Sequence, residues 1–514
     1  MTQTATDTSA ATFSTLVPEM KKQRPSADQI YSLAENIYEF RRDAALGSLY
    51  AIDKETRLAE SLSTRGTFRY RISNLCRALY GMIPRGQTLS EAIDAMSGAA
   101  QEETPVQVHM RIAETSRRTW LDMADEDVHL IVIDADGWRV TDSTEFGTPV
   151  FRRPKSEKPM IMPEHVNSWE DAVKPLFNIV RIPADARRLA IGWIIYCLLY
   201  EARPFPILLL QAEQGSGKST IMRTIVRLTA PDAEETGKLL PRNEEDFGIQ
   251  AFNHRLLIFD NVSNIPPSKR DAMCKLSTGG ALSKRTLYTD AEETQFQALR
   301  PTIVTAINLG TTSPDLNERI VRIPVPRIEP SERRTEQQLA EDWNEHKSTI
   351  FGGLLTLASR VRKRLDGDFN VPDLPRMADY GRVLAAIDYE FNLHNEDGHV
   401  RMIGLDAYRA QQQQMAIENV GDEPVWLALD LMAAKFAEPF TGSSGELLRS
   451  MQDVFNAGLQ TWKKPPESAN DLTKQLDIIA PPLRKAGWTI EHQLGTGRTS
   501  GTRIWTIQAP NQKI

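Results

Sequence analysis

The sequence has few cysteines, no long apolar run and no strong excess of one charge, and each shortage removes a class of function. Cys76, Cys197 and Cys274 are far apart and form no C-x-x-C pair, so neither a disulfide framework nor a zinc ribbon is expected, and a reducing, cytoplasmic setting fits. The longest apolar stretch, residues 189–200, covers twelve positions. A bilayer-spanning helix needs about 20, so a buried helix is expected there, with no membrane partner. A formal net charge of -7 gives no global attraction to nucleic acid, and any such binding has to use a local basic surface. No segment repeats at a fixed period, and the run Gln411 to Gln414 is too short for a low-complexity tract.

What is present is ordinary for globular proteins, with 41% hydrophobic and 25% charged residues over 514 positions, a length that suggests about three to five units. Residues 1–26 are rich in Thr, Ser and Ala and read as a disordered leader. Ser26 and Gln29, with Ile30, Leu33, Ile37 and Phe40 at helical spacing, predict a capping box opening an amphipathic helix. Residues 128–133 are apolar, Asp134 to Gly137 turn the chain, and 138–140 return, a hairpin near the end of an α+β N-terminal domain spanning 27–165. Arg152, Arg153 and Lys155 then read as a solvated loop, with a nucleic-acid contact as the alternative.

Residues 172–200 have a helical pattern that Pro204 and Pro206 break. Apolar runs at 207–210, 256–259 and 302–306 then alternate with longer polar or helical segments, as a parallel α/β sheet demands. The core with its preceding helices covers 166–330. A helical lid or linker follows at 331–420, opened by residues 337–365 with their basic cluster Arg360, Arg362, Lys363 and Arg364. Residues 421–514 read as helices at 425–436, 445–455 and 469–486, then a hairpin pairing 488–493 with 502–507, the outline of a winged helix. From Asn470 onward six Lys or Arg face three Asp or Glu, reversing the sign of the whole chain. The polar group His394, Glu396, Asp397 and His399 reads as a loop, since no third ligand group stands at a helpful spacing for a metal.

The chemistry concentrates after the first apolar run. Ala212, Glu213, Gln214, Gly215, Ser216, Gly217, Lys218, Ser219 and Thr220 form a glycine-rich turn between a strand and a helix, close to G-x-x-x-x-G-K-[ST]. Such a turn aims successive N–H groups at one spot, where the charge of a triphosphate, expected to be ATP, is met without bulky side chains. Gln214 to Thr220 should cradle the phosphates, Lys218 should reach the β- and γ-phosphates, and Ser219 should hold Mg2+. Asp260 ends the next apolar run, where a carboxylate can complete the magnesium shell; the bland alternative is a strand that stops at a turn Asp. Asn261 follows it. An amide orients water but is a poor base, so the general base stays open among Glu213, Asp290, Glu292 and Glu293. Asn308, after the run 302–306, suits fixing a water near the γ-phosphate, or caps a turn. Arg319 precedes another apolar run and suits donation to a neighbouring subunit's nucleotide, or a surface salt bridge. Lys474, Arg484 and Lys485 on the last helix, with Arg498 and Arg503 on the hairpin, suit phosphate contacts flanking a groove, although a protein-docking module has the same outline.

The order Lys218, Asp260, Asn308, Arg319, with Lys284 and Arg285 between the second and third, resembles the core of superfamily 3 helicases. It is closer still to the helicase-like ATPases of phages, plasmids and integrated elements that often sit beside a primase. The resemblance covers about 204–325 well and extends more loosely to about 379. It implies an AAA+-like P-loop NTPase core, a hexameric ring, ATP-driven movement on single-stranded or forked DNA, and a channel hairpin through which Lys284 and Arg285 touch that DNA. It also implies a winged helix after the motor, with a primase or other replication proteins as partners. Two positions depart from the pattern: Ala212 stands where a glycine is usual, and Asn261 where a glutamate is. A nucleotide-gated DNA-binding switch without unwinding activity, or a small-molecule P-loop kinase, is the rival expectation.

Overall fold

A computed structural model describes residues 23–63, 66–115, 117–213, 215–232, 235, 237–285, 293–307, 309, 313–458, 463–495 and 502–510. The chain divides into two compact units, Met1–Val132 with Arg139–Met160, and Ile133–Trp138 with Ile161–Ile514.

In the first unit, α1 (Ala27–Ile37) opens on the expected capping box, the Gln29 N–H donating to Ser26 Oγ at 3.3 Å and the Ser26 N–H to Gln29 Oε1 at 3.0 Å. Phe40, expected on that helix, lies instead on β1 (Tyr38–Arg42). Tyr38 and Phe40 are buried and alternate with Glu39 and Arg41, the two-residue period of a half-buried strand. β1 is antiparallel to β2 (Leu49–Asp53), and β2 to β3 (Ala59–Ser61). Helices α2 (Thr67–Tyr80) and α3 (Gly86–Glu102) close a core around Ile30, Phe68, Ile72, Ile93 and Met96. The chain continues through β4 (Val108–His109), β5 (Ile112–Thr115), β6 (Arg118–Asp122), β7 (Leu130–Asp134), β8 (Gly137–Thr141) and β9 (Val150–Phe151). β5 to β8 form one sheet in sequence order, and β7 and β8 are the expected hairpin.

Arg153 is not the solvated loop residue the sequence suggested. Its Nε and Nη2 clasp buried Asp122 at 2.8 and 2.6 Å. Next to it fully buried Arg111 donates to the carbonyls of Asp122 and Lys158 at 2.9 and 2.7 Å and pairs through Nε with Glu157 at 2.8 Å. Burial pushes the Glu157 carboxyl from 4.5 up to about 7, against the pull of Arg111. Between those values the folded protein keeps a proton that the unfolded chain releases, so stability should fall as pH rises through that window, with a ceiling of about 3 kcal/mol. Urea melts at pH 5 and pH 8 should record this fall, and Glu157→Gln should flatten it; an unchanged slope in the variant removes Glu157 as its source.

In the second unit the helical pattern over 172–200 is carried by three helices, α4 (Trp169–Val173), α5 (Leu176–Ile179) and α6 (Arg187–Leu199). Pro175 and Pro183 supply no N–H and interrupt it. Nearly every residue of α6 is buried, as its uniform apolarity requires. There follow β10 (Ile207–Ala212), α7 (Lys218–Thr229), α8 (Glu244–Asn253), β11 (Leu257–Phe259), α9 (Pro267–Thr278), β12 (Ala281–Arg285), β13 (Glu293–Gln297), β14 (Thr302–Ala306), α10 (Pro314–Asn317) and β15 (Ile320–Val325). The expected parallel sheet is present, in the order β11-β14-β10-β15, with Phe259 beside Val304, Leu210 beside Thr305, and Ile207 beside Ile320. β12 and β13 form a separate antiparallel hairpin.

The 31-residue α11 (Glu336–Asp366) starts on a capping box between Thr335 and Gln338, and α12 (Ala378–Phe391) and α13 (Ile403–Asn419) pack after it. Buried Asp388 of α12 accepts the N–H groups of Gly404 and Leu405 at 2.9 and 3.1 Å and pairs with Arg188 of α6, so the paired charge ties three helices together.

The C-terminal part runs α14 (Pro424–Leu431), β16 (Phe440–Ser443), α15 (Ser444–Asn456), α16 (Ala469–Lys485), β17 (Thr489–Leu494) and β18 (Arg503–Gln508). Its sheet has the order β16-β18-β17 over a core that includes Leu447, Leu472, Leu476, Trp505 and Ile507. Strand β16 was not expected from the sequence, because its four residues show no alternation to detect. Among the described residues no helix is long and apolar enough to cross a membrane.

Candidate functional site

Because β11, β14 and β10 are parallel, their C-terminal ends share one edge of the sheet, where open α/β folds gather their functional loops. The aliphatic run of β10 is buried between layers, and the chain leaves it through a turn that only glycine makes without strain: Gly215 and Gly217 have φ of +77° and +81°. Gly217 also caps α7, so the first N–H groups of that helix open toward the turn. Ser216 Oγ donates to the Glu213 carbonyl at 2.7 Å, and Lys218 Nζ donates to the Ala212 carbonyl at 2.8 Å. Ser219 is exposed and Thr220 half-buried at the helix start.

Asp260, directly after β11, stands at the same edge. Its carboxylate accepts the hydroxyl of Thr305 on β14, whose Oγ1 in turn accepts the N–H of Asn261 at 2.9 Å. Thr305 is fully buried, so it fixes Asp260 from behind. Asn261 is exposed with φ +54°, a left-handed conformation that asparagine tolerates better than most residues. On the other side Gly237, at φ +77°, brings its backbone so close that a Cβ would stand 2.9 Å from that of Asp260.

A cavity of about 260 Å³ adjoins the turn. Its apolar wall comes from Ile179, Ile221, Ile328 and Leu339, and Asn178, Arg181 and Arg333 supply polar groups. No spacing could have disclosed it, because α5, α7, the stretch after β15 and α11 each contribute.

Arg319 is not brought to Lys218. It precedes β15 at the opposite edge of the sheet, where its carbonyl accepts the Ile207 N–H at 2.7 Å. The six residues of β10 separate the two positions by roughly 20 Å at about 3.3 Å per residue. The Arg319 side chain is 7% exposed and pairs with Asp315 at 2.6 Å, holding that carboxyl below its usual range. Arg376 reaches Asp315 at 3.0 Å and Glu318 at 2.7 Å, and Lys485 also pairs with Glu318. These five charges form one chain from α16 to Arg319. Nearby, burial pushes the Cys274 thiol up to about 12, which leaves it a poor nucleophile.

Of the other expected contacts, Lys284 and Arg285 lie on β12, with Arg285 opposite Glu293. On α16, Lys474 is exposed and Arg484 donates to the Ile490 carbonyl at 2.6 Å; on β18, Arg503 pairs with Asp477 at 2.7 Å. Gln214, Asp290, Glu292, Asn308, Arg498 and leader residues 1–22 lie outside the described residues. His394 and His399 flank a turn, and among the described residues no group of three or more His, Cys, Asp or Glu could hold a metal.

A family model for the replication protein of actinomycete integrative conjugative elements matches residues 171–416, and one for the C-terminal domain of the same family, AICE RepA, matches 428–513. No curated protein matches the sequence. Among solved structures, the apo NrS-1 C-terminal region is similar at 12% identity, covering 93% of this chain and 99% of that one with a TM-score of 0.41. A JCV helicase is similar at 17% identity, covering 50% and 74% with a TM-score of 0.22. Scores this low carry no weight beside the family match. The central and C-terminal parts of this chain therefore match, in order, the replication protein of actinomycete integrative conjugative elements and that family's C-terminal domain.

Proposed function

We propose that the chain is an ATP-hydrolysing DNA translocase, a ring-forming helicase that serves replication of a mobile genetic element. The observation that carries this reading is the meeting, at one edge of a parallel sheet, of the Gly215–Lys218 turn, Asp260 and an apolar cavity. The N–H groups from 215 to 220 and the Lys218 ammonium suit a triphosphate. The Ile179, Ile221, Ile328 and Leu339 wall suits a nucleobase. Ser219 and Asp260 offer the hard oxygen donors that Mg2+ takes, and their small number fits an ion bound largely through phosphates and water. When bound, that ion neutralises charge on the β- and γ-oxygens. Asn261 and the open set of bases leave the attacking water to be oriented rather than strongly activated.

Arg319 faces away from its own loop, which supports its use by a neighbouring subunit's nucleotide in a ring. The C-terminal order helix, strand, helix, helix, strand, strand supports a winged helix over 421–514, after an N-terminal domain at 27–165, a core at 166–330 and a helical lid at 331–420. A forked duplex with a single-stranded tail should be unwound when ATP and magnesium are supplied; an assembled sample that unwinds nothing removes the helicase.

Asn261 favours a second reading, a slow nucleotide-gated switch that loads or regulates a partner. Steady-state turnover separates the two, since strong stimulation by single-stranded DNA belongs to the motor and very slow, unstimulated turnover to the switch. For the motor, the β12–β13 hairpin is the DNA contact. Replacing Lys284 and Arg285 together by Ala should weaken single-stranded DNA binding and make its salt dependence shallower by about one to two counterions. A salt slope equal to that of the unmodified chain would place the contact elsewhere.

A further inference from the structure

The stretch between β15 and α11 roofs the glycine-rich turn. A Cβ on Gly217 would stand 3.2 Å from Ile328 Cδ1, and one on Gly215 would stand 3.9 Å from Arg333 Nη2. The roof is held by the two other arginines that line the cavity. Arg181 grips Glu332, through Nη1 to the carboxylate at 2.5 Å and Nη2 to the carbonyl at 3.0 Å. Arg334 grips Asp342 at 2.5 Å and the Gln338 carbonyl at 3.1 Å. Arg333, between Glu332 and Arg334 in sequence, pairs with no carboxylate among the described residues, and its exposed guanidinium lines the cavity beside Gly215, Ser216 and Gly217.

We infer that Arg333 binds the phosphate chain of the nucleotide in cis. The inference rests on the nucleotide reading above. Three features of the chain carry it: a positive charge without a fixed partner among the described residues, its position beside Gly215 in the cavity that the turn lines, and a backbone braced on both sides by ion pairs. A guanidinium presents a planar fork of donors that matches phosphate oxygens. Arg333 also ends the short turn that leads to the Thr335 cap of α11, so the same contact would tie the start of the 31-residue helix to the bound nucleotide.

The test uses the full chain and calorimetry with MgATP, with adenosine measured by competition. Because Arg333 is exposed and bonded to nothing fixed, Arg333→Ala and Arg333→Glu should both fold with unchanged melting. The first should weaken MgATP binding by about tenfold or more, as expected for a charge-assisted hydrogen bond, and the second should weaken it further. Adenosine, which has no phosphate, should bind both variants as it binds the unmodified chain. MgATP affinities within about twofold of the unmodified chain for both variants overturn the inference. So does an equal loss for adenosine, which would assign Arg333 to the base wall. If the unmodified chain itself binds no MgATP, the nucleotide reading fails first, and that failure is visible without either variant.

Discussion

Replacing Lys218 with Ala should cost at least about a hundredfold in affinity for MgATP and leave no measurable turnover. The side chain lies at the start of α7 with its ammonium within the turn, bonded to the Ala212 carbonyl at 2.8 Å. A cation there meets the part of a triphosphate with the most charge. Each charge-assisted hydrogen bond it makes contributes about 1.5–3 kcal/mol, and a bridge to two phosphates makes more than one. The fold should survive, since within the protein the substitution removes one hydrogen bond from the half-buried ammonium, worth about 1.5–3 kcal/mol at most. Calorimetry with saturating MgATP, alongside a melting curve, checks both halves. Undiminished affinity in a folded variant would show that the turn has been assigned the wrong ligand.

Arg319→Ala should behave in the opposite way, leaving nucleotide affinity nearly intact while lowering turnover roughly a thousandfold, the scale on which a transition-state arginine acts. The reason is position: with the sheet between them, Arg319 cannot serve the Lys218 of its own chain. The decisive experiment mixes the two variants. A ring containing Lys218→Ala and Arg319→Ala subunits has some interfaces that join an intact turn to an intact arginine, so activity should partly return at those interfaces. Mixtures that merely average the two parents would leave Arg319 with its structural pairing to Asp315 alone.

Much of the loop-bearing edge of the sheet was legible because its geometry is local. A buried strand, a turn needing positive φ and a helix start are contiguous, so Gly215 to Thr220 disclose their geometry by spacing alone. Asp260 could be placed because a carboxylate ending an apolar run reads as a strand tip. Thr305 could not, since its hydroxyl points along the sheet to Asp260 from a strand 45 positions away in sequence. The cavity wall and Arg333 were illegible for the same reason, being assembled from segments that only the fold brings together. Arg153 was misread because its neighbours in sequence are polar, while the carboxylate that buries it belongs to β6. Phe40 was misread because helical and strand periods coincide over so few residues, and the alternation after Ile37 decided the matter.

The chain of charges ending at Arg319 has a consequence for solution conditions. Lys485, Arg376 and Asp315 are each about half open to solvent, at 53, 45 and 53%, whereas Arg319 is almost enclosed. Dissolved ions screen open pairs strongly and enclosed ones weakly, with a Debye length of about 8 Å at physiological ionic strength. Rising salt therefore acts unevenly along the chain, loosening the grip of the last helix on Glu318 long before the guanidinium is released. Dilute and concentrated buffers would then present the same subunit with its C-terminal part differently tethered, and assays of the two should not be averaged.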